Sequence, residues 1–521
     1  MPQKYLMAID AGTGSVRAVL FDLEGRQIGC VQQEWDHKED PRYPGSMDFD
    51  WVFNWSLAVG CIRGVLKDTG IDPSDIAAVS TTCMREGIIL YDAGGHEIWA
   101  CANVDARSTE EVVELIRSDP KLEKELYLKS GQSFALDALP RLLWVKNKMP
   151  EVYEKTASVG MFNDWLIYRM TGVLAVEPSN GSTTGIFDLQ KRDWDPALAE
   201  KCGLRTDIFH PVLECGTVAG KVTAAAAAET GLASGTPVVT GGGDAQLGCI
   251  GVAVVKPNQA AVFGGSFWQY EFNTANGRTD PECRVRVNCH AVPGVWQYEA
   301  LAFKPGLVMR WFRDGFCQLE KQEAEKTGKD PYYLLDQEAK KIPAGCYGMM
   351  CTFSDVMNFI RWKHASPTFT NFELDPEKFN RYTFYRAILE NTALVTRGHL
   401  ELVKEATGNM PEEIVFAGGA AKSPLWCQIV SDALGLPLRV PVVKEATALG
   451  AAILAGYGVG IYKSVPEAAE KLVHWDKLYQ PNPENHKIYD EMYGAWRKVY
   501  AAQLELCDRG LTRCMWSAPG L

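Results

Sequence analysis

Within the eight residues Asp10-Ala11-Gly12-Thr13-Gly14-Ser15-Val16-Arg17 lie a carboxylate, two hydroxyls, two glycines and a guanidinium. Glycine lets the backbone reach φ > 0 and approach an anion without a Cβ in the way. Backbone N–H groups at the turn, with the hydroxyls of Thr13 and Ser15, can therefore cradle phosphate oxygens, and Asp10 offers a carboxylate to a metal ion. A second group joins glycines to an acid in Gly241-Gly242-Gly243-Asp244. A carboxylate at a glycine-rich strand end can come close to a hydroxyl and accept its proton. Asp244 could equally cap the helix that follows.

The flanking residues say what positions the first group. Val16, Ala18 and Leu20 alternate with Arg17, Val19 and Phe21, the period of a strand, and Met7–Asp10 is a second short apolar run. The turn therefore joins strand to strand. A dinucleotide fold would place a third glycine where Arg17 stands and continue as a helix; neither condition holds. A plain hairpin that binds nothing stays open on these residues alone. A similar unit recurs about 250 residues later at Gln259–Trp268, with Gly264, Gly265 and Ser266 at its turn. Two such hairpins suggest a duplicated fold with one cradle per half, facing each other across a cleft. The boundary is expected near Val252–Lys256, giving domains over 1–254 and 255–521.

Strands are also predicted at Ile76–Thr82, Thr236–Thr240 and Ile414–Ala417, and a helix at Thr109–Ser118. Ala224–Ala228, between Thr223 and Glu229, reads as helix. A long amphipathic helix is predicted from Thr383 to Thr407, with Phe384, Ile388, Val395, Leu402 and Ala406 on one face and Gly408 ending it. After Gly418-Gly419-Ala420-Ala421-Lys422, Ser423 is the expected N-cap of a helix opened by Pro424. A helix start reached through glycines suits an anion.

At 521 residues the chain is too long for one ordinary core, so two large domains are expected. A net charge of −12 argues against a nucleic-acid backbone or an anionic membrane as main partner. Fifteen scattered cysteines contain no C-x-x-C pair, which favours buried thiols over zinc. The first residues lack the apolar length of a signal peptide and no long apolar run occurs. The cytoplasm is the expected compartment.

Five elements thus stand in a fixed order: Asp10–Arg17, Met84-Arg85-Glu86, Gly241–Gln246, Phe263–Ser266 and Gly418–Ser423. Together they resemble the FGGY carbohydrate kinases, over roughly Tyr5 to Gly460. Cys83–Gly87, Ala100–Arg107, Arg310–Asp314, Val442–Gly450 and Trp516–Leu521 narrow the likeness within that family. The resemblance implies an α/β, actin-like ATPase (ribonuclease-H-like) fold, two similar domains around a cleft, with a helical C-terminal extension. It implies ATP and Mg²⁺ as cofactors, and phosphorylation of the terminal (C5) hydroxyl of (S)-4,5-dihydroxypentane-2,3-dione, with Asp244 as general base. Asp10 would hold the metal through water. Thr13, Gly14, Ser15, Arg17, Gly265, Ser266, Gly306, Gly419 and Ser423 would contact the nucleotide. Arg85, Glu86, Asn103, Asp244 and Gln246 would line the small-molecule substrate site. A contact with a phosphocarrier protein of the sugar phosphotransferase system is a further implication.

The chain departs from glycerol kinase at three of these positions. Asn103 replaces a tryptophan, Ala245 replaces the glutamine after the base, and Leu136 is the nearest counterpart of a tyrosine. Other acceptors within the family, such as a pentulose or glycerol, stay open on the residues alone. So does a nucleotide-gated binding protein of the same fold.

Overall fold

The computed structural model describes residues 4–135, 137–356 and 359–518. Leu136 and the Pro519–Leu521 end of the C-terminal motif lie outside the described residues.

Two sheets form the centre of the fold. The first contains β1 (Tyr5–Ala11), β2 (Ser15–Asp22), β3 (Gln27–Glu34), β4 (Ile76–Cys83), β5 (Val218–Lys221) and β6 (Pro237–Gly243), in the order β5-β6-β4-β1-β2-β3. The second contains β7 (Ala260–Gly264), β8 (Trp268–Thr274), β9 (Arg286–Cys289), β10 (Trp296–Ala302), β11 (Ile414–Ala417), β12 (Leu438–Pro441) and β13 (Trp475–Tyr479), ordered β9-β10-β8-β7-β11-β12-β13. In each sheet a run of antiparallel strands, three in the first and four in the second, leads into two parallel ones: β1 pairs antiparallel with β2 and parallel with β4, as β7 does with β8 and β11. This repeated order is the ribonuclease-H-like arrangement of an actin-like ATPase. Both glycine hairpins are present, β1–β2 and β7–β8. The helices at Thr109–Ser118 and Ala224–Thr230 form where expected.

The halves are joined by two helices, Asp244–Gly251 and Ala446–Gly458, which touch backbone to backbone. A Cβ on Gly251 would lie 1.8 Å from the Ala446 carbonyl oxygen, and one on Gly450 would lie 2.0 Å from that of Leu247. Only glycine permits that approach. Beyond the crossing, Ala448, Ala451, Ala452 and Ala455 pack with Leu6 and Ala8 of β1. The second crossing helix thus begins at the cleft and ends against the first sheet.

One helix differs from its expected form. It spans Arg381–Thr407 and is capped by Gly408 in the left-handed region, but it carries no single apolar stripe. Its middle turns are buried on every side, Glu390, Asn391 and His399 included, because β8, β10, Pro305–Phe316 and Pro424–Leu434 all pack against it. Its polar residues find buried partners instead of water: Glu390 pairs with Arg386 and accepts from Tyr489. All fifteen cysteines carry free thiols, most of them buried. Among the described residues no helix is long and apolar enough to cross a membrane.

Candidate active site

The β1–β2 register sets Asp10 directly opposite Arg17, with the turn at Gly12–Gly14 beyond them. The tip is pinned from outside. Trp35 Nε1 donates to the Gly12 and Thr13 carbonyls (3.0 and 3.2 Å), and His37 Nε2 donates to the Thr13 carbonyl (2.7 Å). Contrary to expectation, neither Gly12 nor Gly14 uses positive φ. The benefit of Gly14 is room, since a Cβ there would meet nothing within 4 Å. Thr13 and Gly14 are exposed and Ser15 is buried beneath them.

Asp10 is buried, and that burial pushes its carboxyl up to about 7 against the pull of Arg17, with Asp244 and Glu445 adding to the rise. Among the described residues its one close cation is Arg17, whose Nε lies 3.5 Å from Oδ2. A buried acid so poorly neutralised fits a site completed by a cation. Among the described residues no cluster of three ligating side chains is present. Arg17 is also held from the second half. Its Nη1 donates to Glu445 Oε2 at 2.5 Å, across the cleft from the second half.

Asp244 is the first residue of its helix. Its Oδ1 accepts from the Ala245 N–H at 2.8 Å and lies 3.3 Å from Arg85 Nε; the helix N-cap is Gly243, so Asp244 does not take the capping role. The side chain is 45% exposed, into the cleft. Partial desolvation pushes its carboxyl up, Arg85 opposes this, and Glu86 adds to the rise. The glycines before it allow close packing: a Cβ on Gly241 would fall 1.5 Å from the Thr81 carbonyl oxygen, and one on Gly243 would meet Arg85 and Gln246 within 3 Å.

A cavity of about 550 Å³ runs from Asp244 and Ala245 to Gly418, Gly419 and Lys422, and along Lys444–Thr447. The second hairpin borders it through Phe263. Gly306 lies against that hairpin's tip, where a Cβ would sit 2.2 Å from the Gly265 carbonyl oxygen, next to Ser266. Gly418, at φ +92°, packs against Gly264 in the same way. Gly265, Ser266, Gly306 and Gly419 are therefore brought together. Ser423 is near them, but its hydroxyl is committed: it donates to Asp336 (2.6 Å) and caps the next helix through the Trp426 N–H (3.0 Å).

The acceptor side holds the main surprise. Arg85 does not extend a free fork towards substrate. Nη1 and Nη2 both donate to Glu299 of β10, leaving Nε for Asp244. Glu299 is held below the usual carboxylate range: burial would raise it, but Arg85 and Arg286 outweigh that. Arg286 of β9 lies 2.7 Å from Glu86 Oε1 through Nη2. Glu86 adopts φ +65°, and its carbonyl accepts from Arg141, which also holds the Asn103 carbonyl at 2.7 Å. Asn103 Nδ2 donates to Thr13 Oγ1 at 3.2 Å, linking the Arg141-held segment to the first glycine hairpin. Gln246 is fully buried beside Gly243, with neither amide atom partnered among the described residues.

Glu299, Arg286, Glu445 and Arg141 were not anticipated. The first two belong to a polar sheet face: Glu271 and Asn273 on β8, Gln297 and Glu299 on β10, and Arg286 and Asn288 on β9 are cross-strand neighbours, all buried. Their alternation in sequence was the available signal. It ordinarily marks a solvent face, and here that face meets the first half of the molecule.

The family model for the FGGY family of carbohydrate kinases, N-terminal domain, matches residues 5–251, and that for the C-terminal domain matches residues 275–459. The chain is 52% identical over 518 residues to an autoinducer-2 kinase of Klebsiella pneumoniae subsp. pneumoniae, covering 99% of this chain and 97% of that protein. It is likewise 52% identical to an autoinducer-2 kinase of Escherichia coli strain K12, covering 99% and 98%. Among solved structures, a xylulose kinase from Rhodospirillum rubrum superposes with a TM-score of 0.84 at 24% identity, over 96% of this chain and 99% of that one. A Plasmodium falciparum glycerol kinase with ADP gives 0.83 at 20% identity, over 96% and 98%. These two likenesses show the fold alone. The two domain matches and the relatives at half identity over nearly the whole chain show that it belongs to the FGGY family of carbohydrate kinases.

Proposed function

We propose that this kinase transfers the terminal phosphoryl group of ATP to the C5 hydroxyl of autoinducer-2, (S)-4,5-dihydroxypentane-2,3-dione, with Asp244 as the base. The observation that carries the reaction type is the Asp244 carboxylate, facing a glycine-lined cavity on one side and the Arg85–Glu86 pair on the other. The choice of acceptor follows from the relatives' names and their full-length similarity.

Phosphoryl transfer asks the protein mainly for positioning and charge neutralisation. Asp244 orients the attacking hydroxyl and takes its proton at Oδ1 or Oδ2. A carboxyl shifted upward is a stronger proton acceptor than an ordinary one, so the shift favours that step. The Arg85 contact keeps part of the carboxylate charged. The two hairpin tips, at Gly14 and at Gly265–Ser266, would hold the nucleotide's phosphates from opposite halves, and Gly419 lines the rest of the cavity. Asp10 would hold Mg²⁺ through water, and the ion, when bound, would neutralise phosphate charge.

Mass spectrometry of candidate acceptors after incubation with MgATP tests the reading. A gain of one phosphoryl group on the dihydroxy-dione, with little on D-xylulose or glycerol, is expected. Phosphorylation of a pentulose or glycerol in preference to the dione would overturn the acceptor assignment. ATP binding with no acceptor phosphorylated would overturn the kinase reading itself.

A further inference from the structure

Resting on the reading that the second hairpin holds the nucleotide's phosphates, we propose that Trp516 is a positioning residue for ATP. From the C-terminal strand it braces, through Phe303, the Gly265–Ser266 tip of that hairpin.

The strand Cys514–Ser517 pairs antiparallel with Lys363–Ala365, and the register sets Trp516 opposite His364. Contacts beyond the ladder fasten the pair. The Ala518 N–H donates to the Trp362 carbonyl at 3.0 Å, and Ser366 Oγ donates to the Arg513 carbonyl at 3.0 Å. Lys363 forms an ion pair with Asp508, the last residue of the preceding helix. A two-stranded ribbon is marginal alone and needs something to pack on. Here it packs on rings. Trp516 is half-buried, with its centroid 4.5 Å from that of Trp362 and 4.9 Å from that of Phe303. On its other neighbour's side, Phe303 stacks on His364 at 4.9 Å, the planes 6° apart.

Phe303 is the first residue beyond β10, and it reaches the hairpin tip by two routes. One runs along the chain. Lys304 follows at φ +57°, then Pro305 and Gly306. A non-glycine residue in that region is strained and persists only where its neighbours fix it. The rings hold Phe303 on one side of Lys304. On the other side Gly306 lies against the hairpin without slack, since a Cβ there would be 2.2 Å from the Gly265 carbonyl oxygen. The second route runs through space. Phe267 meets Phe303 edge-on at 5.6 Å, and the Phe267 carbonyl accepts from the Gly265 N–H at 2.8 Å, which closes the tip. Phe267 is 50% exposed, and among the described residues Phe303 is the one ring it meets.

The tip can hold phosphate oxygens only if its donors keep their place, and displacements of about 1 Å are felt in binding and turnover. Removing Trp516 leaves a gap beside Phe303 and loosens both routes at once. The acceptor side should not follow. Glu299, which orients Arg85, lies inside β10 with ladder partners on β8 and β9, whereas Phe303 lies past the strand's end.

The test uses the full chain as wild type, Trp516→Phe, Trp516→Ala, Phe267→Ala and the double variant Trp516→Ala/Phe267→Ala. MgATP binding is read by calorimetry, and KM for both substrates by initial rates. Trp516→Ala should raise Kd and KM for MgATP by about 3–10-fold, the size of one aromatic contact, with KM for the acceptor within about twofold. Trp516→Phe keeps a ring and should stay within about twofold of wild type. The double variant should be no weaker than the weaker single variant, because both substitutions break one path. Should Trp516→Ala not fold, Trp516→Leu takes its place with the same expected rise. Unchanged MgATP affinity in Trp516→Ala would overturn the proposal, with or without a lower unfolding midpoint. So would a Phe variant as weak as Ala, losses that multiply in the double variant, or an equal rise in KM for the acceptor. A wild type that binds no MgATP would overturn both this proposal and the reading it rests on, whereas normal wild-type binding retained in Trp516→Ala overturns this one alone.

Discussion

Replacing Asp244 with Asn should separate catalysis from stability in opposite directions. The substitution keeps the side chain's shape and removes its charge and its ability to take a proton. Loss of a positioned base lowers turnover by about 10²–10⁴-fold, or about 3–5 kcal/mol of barrier. The ground-state attraction that disappears with the charge is small. Arg85 keeps both of its bonds to Glu299, and its 3.3 Å approach to Asp244 is partly exposed, so removing that attraction costs at most about 1 kcal/mol. Against that stands the upward shift of the Asp244 carboxyl, whose largest cause is desolvation. For an acid raised in the folded state, the native protein holds more protons than the unfolded chain between the two pKa values. Stability therefore declines as pH rises through that window, and the penalty is absent below the ordinary aspartate pKa. Asn does not titrate and escapes it. The apparent unfolding midpoint of Asp244→Asn should thus match wild type near pH 4 and exceed it near pH 8. Steady-state kinetics, nucleotide binding by calorimetry and thermal melts at several pH values check the three parts. Turnover within tenfold of wild type would refute the base. A midpoint that falls below wild type as pH rises would show that the carboxylate acts as a structural partner of Arg85.

Other positions give independent tests. Gly306→Ala must displace the Gly265 tip, because the new Cβ would lie 2.2 Å from its carbonyl oxygen; a shift of about 1 Å should lower kcat/KM for ATP by about 10²-fold, measured at saturating acceptor. Glu445→Gln releases Arg17 from its cross-cleft partner and removes a carboxylate from the cavity. KM for MgATP should fall about two- to fivefold, an advantage that shrinks with added salt. Arg141→Lys loses the fork that spans three carbonyls; KM for the acceptor should rise about tenfold with KM for ATP unchanged, as read from initial rates.

What could be read from the chain follows a physical division. Glycine–hydroxyl turns between alternating strands announce themselves locally, and both hairpins, β4, β11 and the Ser423 cap formed where these residues placed them. Asp10 and Asp244 stood out as candidates because the glycines beside them are adjacent in sequence, whereas Arg85 and Glu86 were named through the family resemblance. Partners across the cleft were not. Arg17 and Glu445 are 428 residues apart, and Arg85 and Glu299 are 214 apart, so no local period connects them. The long helix at Arg381–Thr407 misled for a related reason: a helix buried on all sides by other elements needs polar partners that only tertiary structure supplies.

The residues that no local pattern reveals are also those that make the site depend on both halves. Asp10, Asp244, Arg85 and Glu86 all belong to the first half, and alone they would combine three carboxylates with one guanidinium. Burying that set without counter-charge is unfavourable. The second half supplies Glu299 to orient Arg85, Arg286 to neutralise Glu86, and the glycine edges that line the cavity. The charge balance around Arg85 and Glu86 therefore exists only when the halves meet, while Asp10 is left, among the described residues, with a single cation 3.5 Å away.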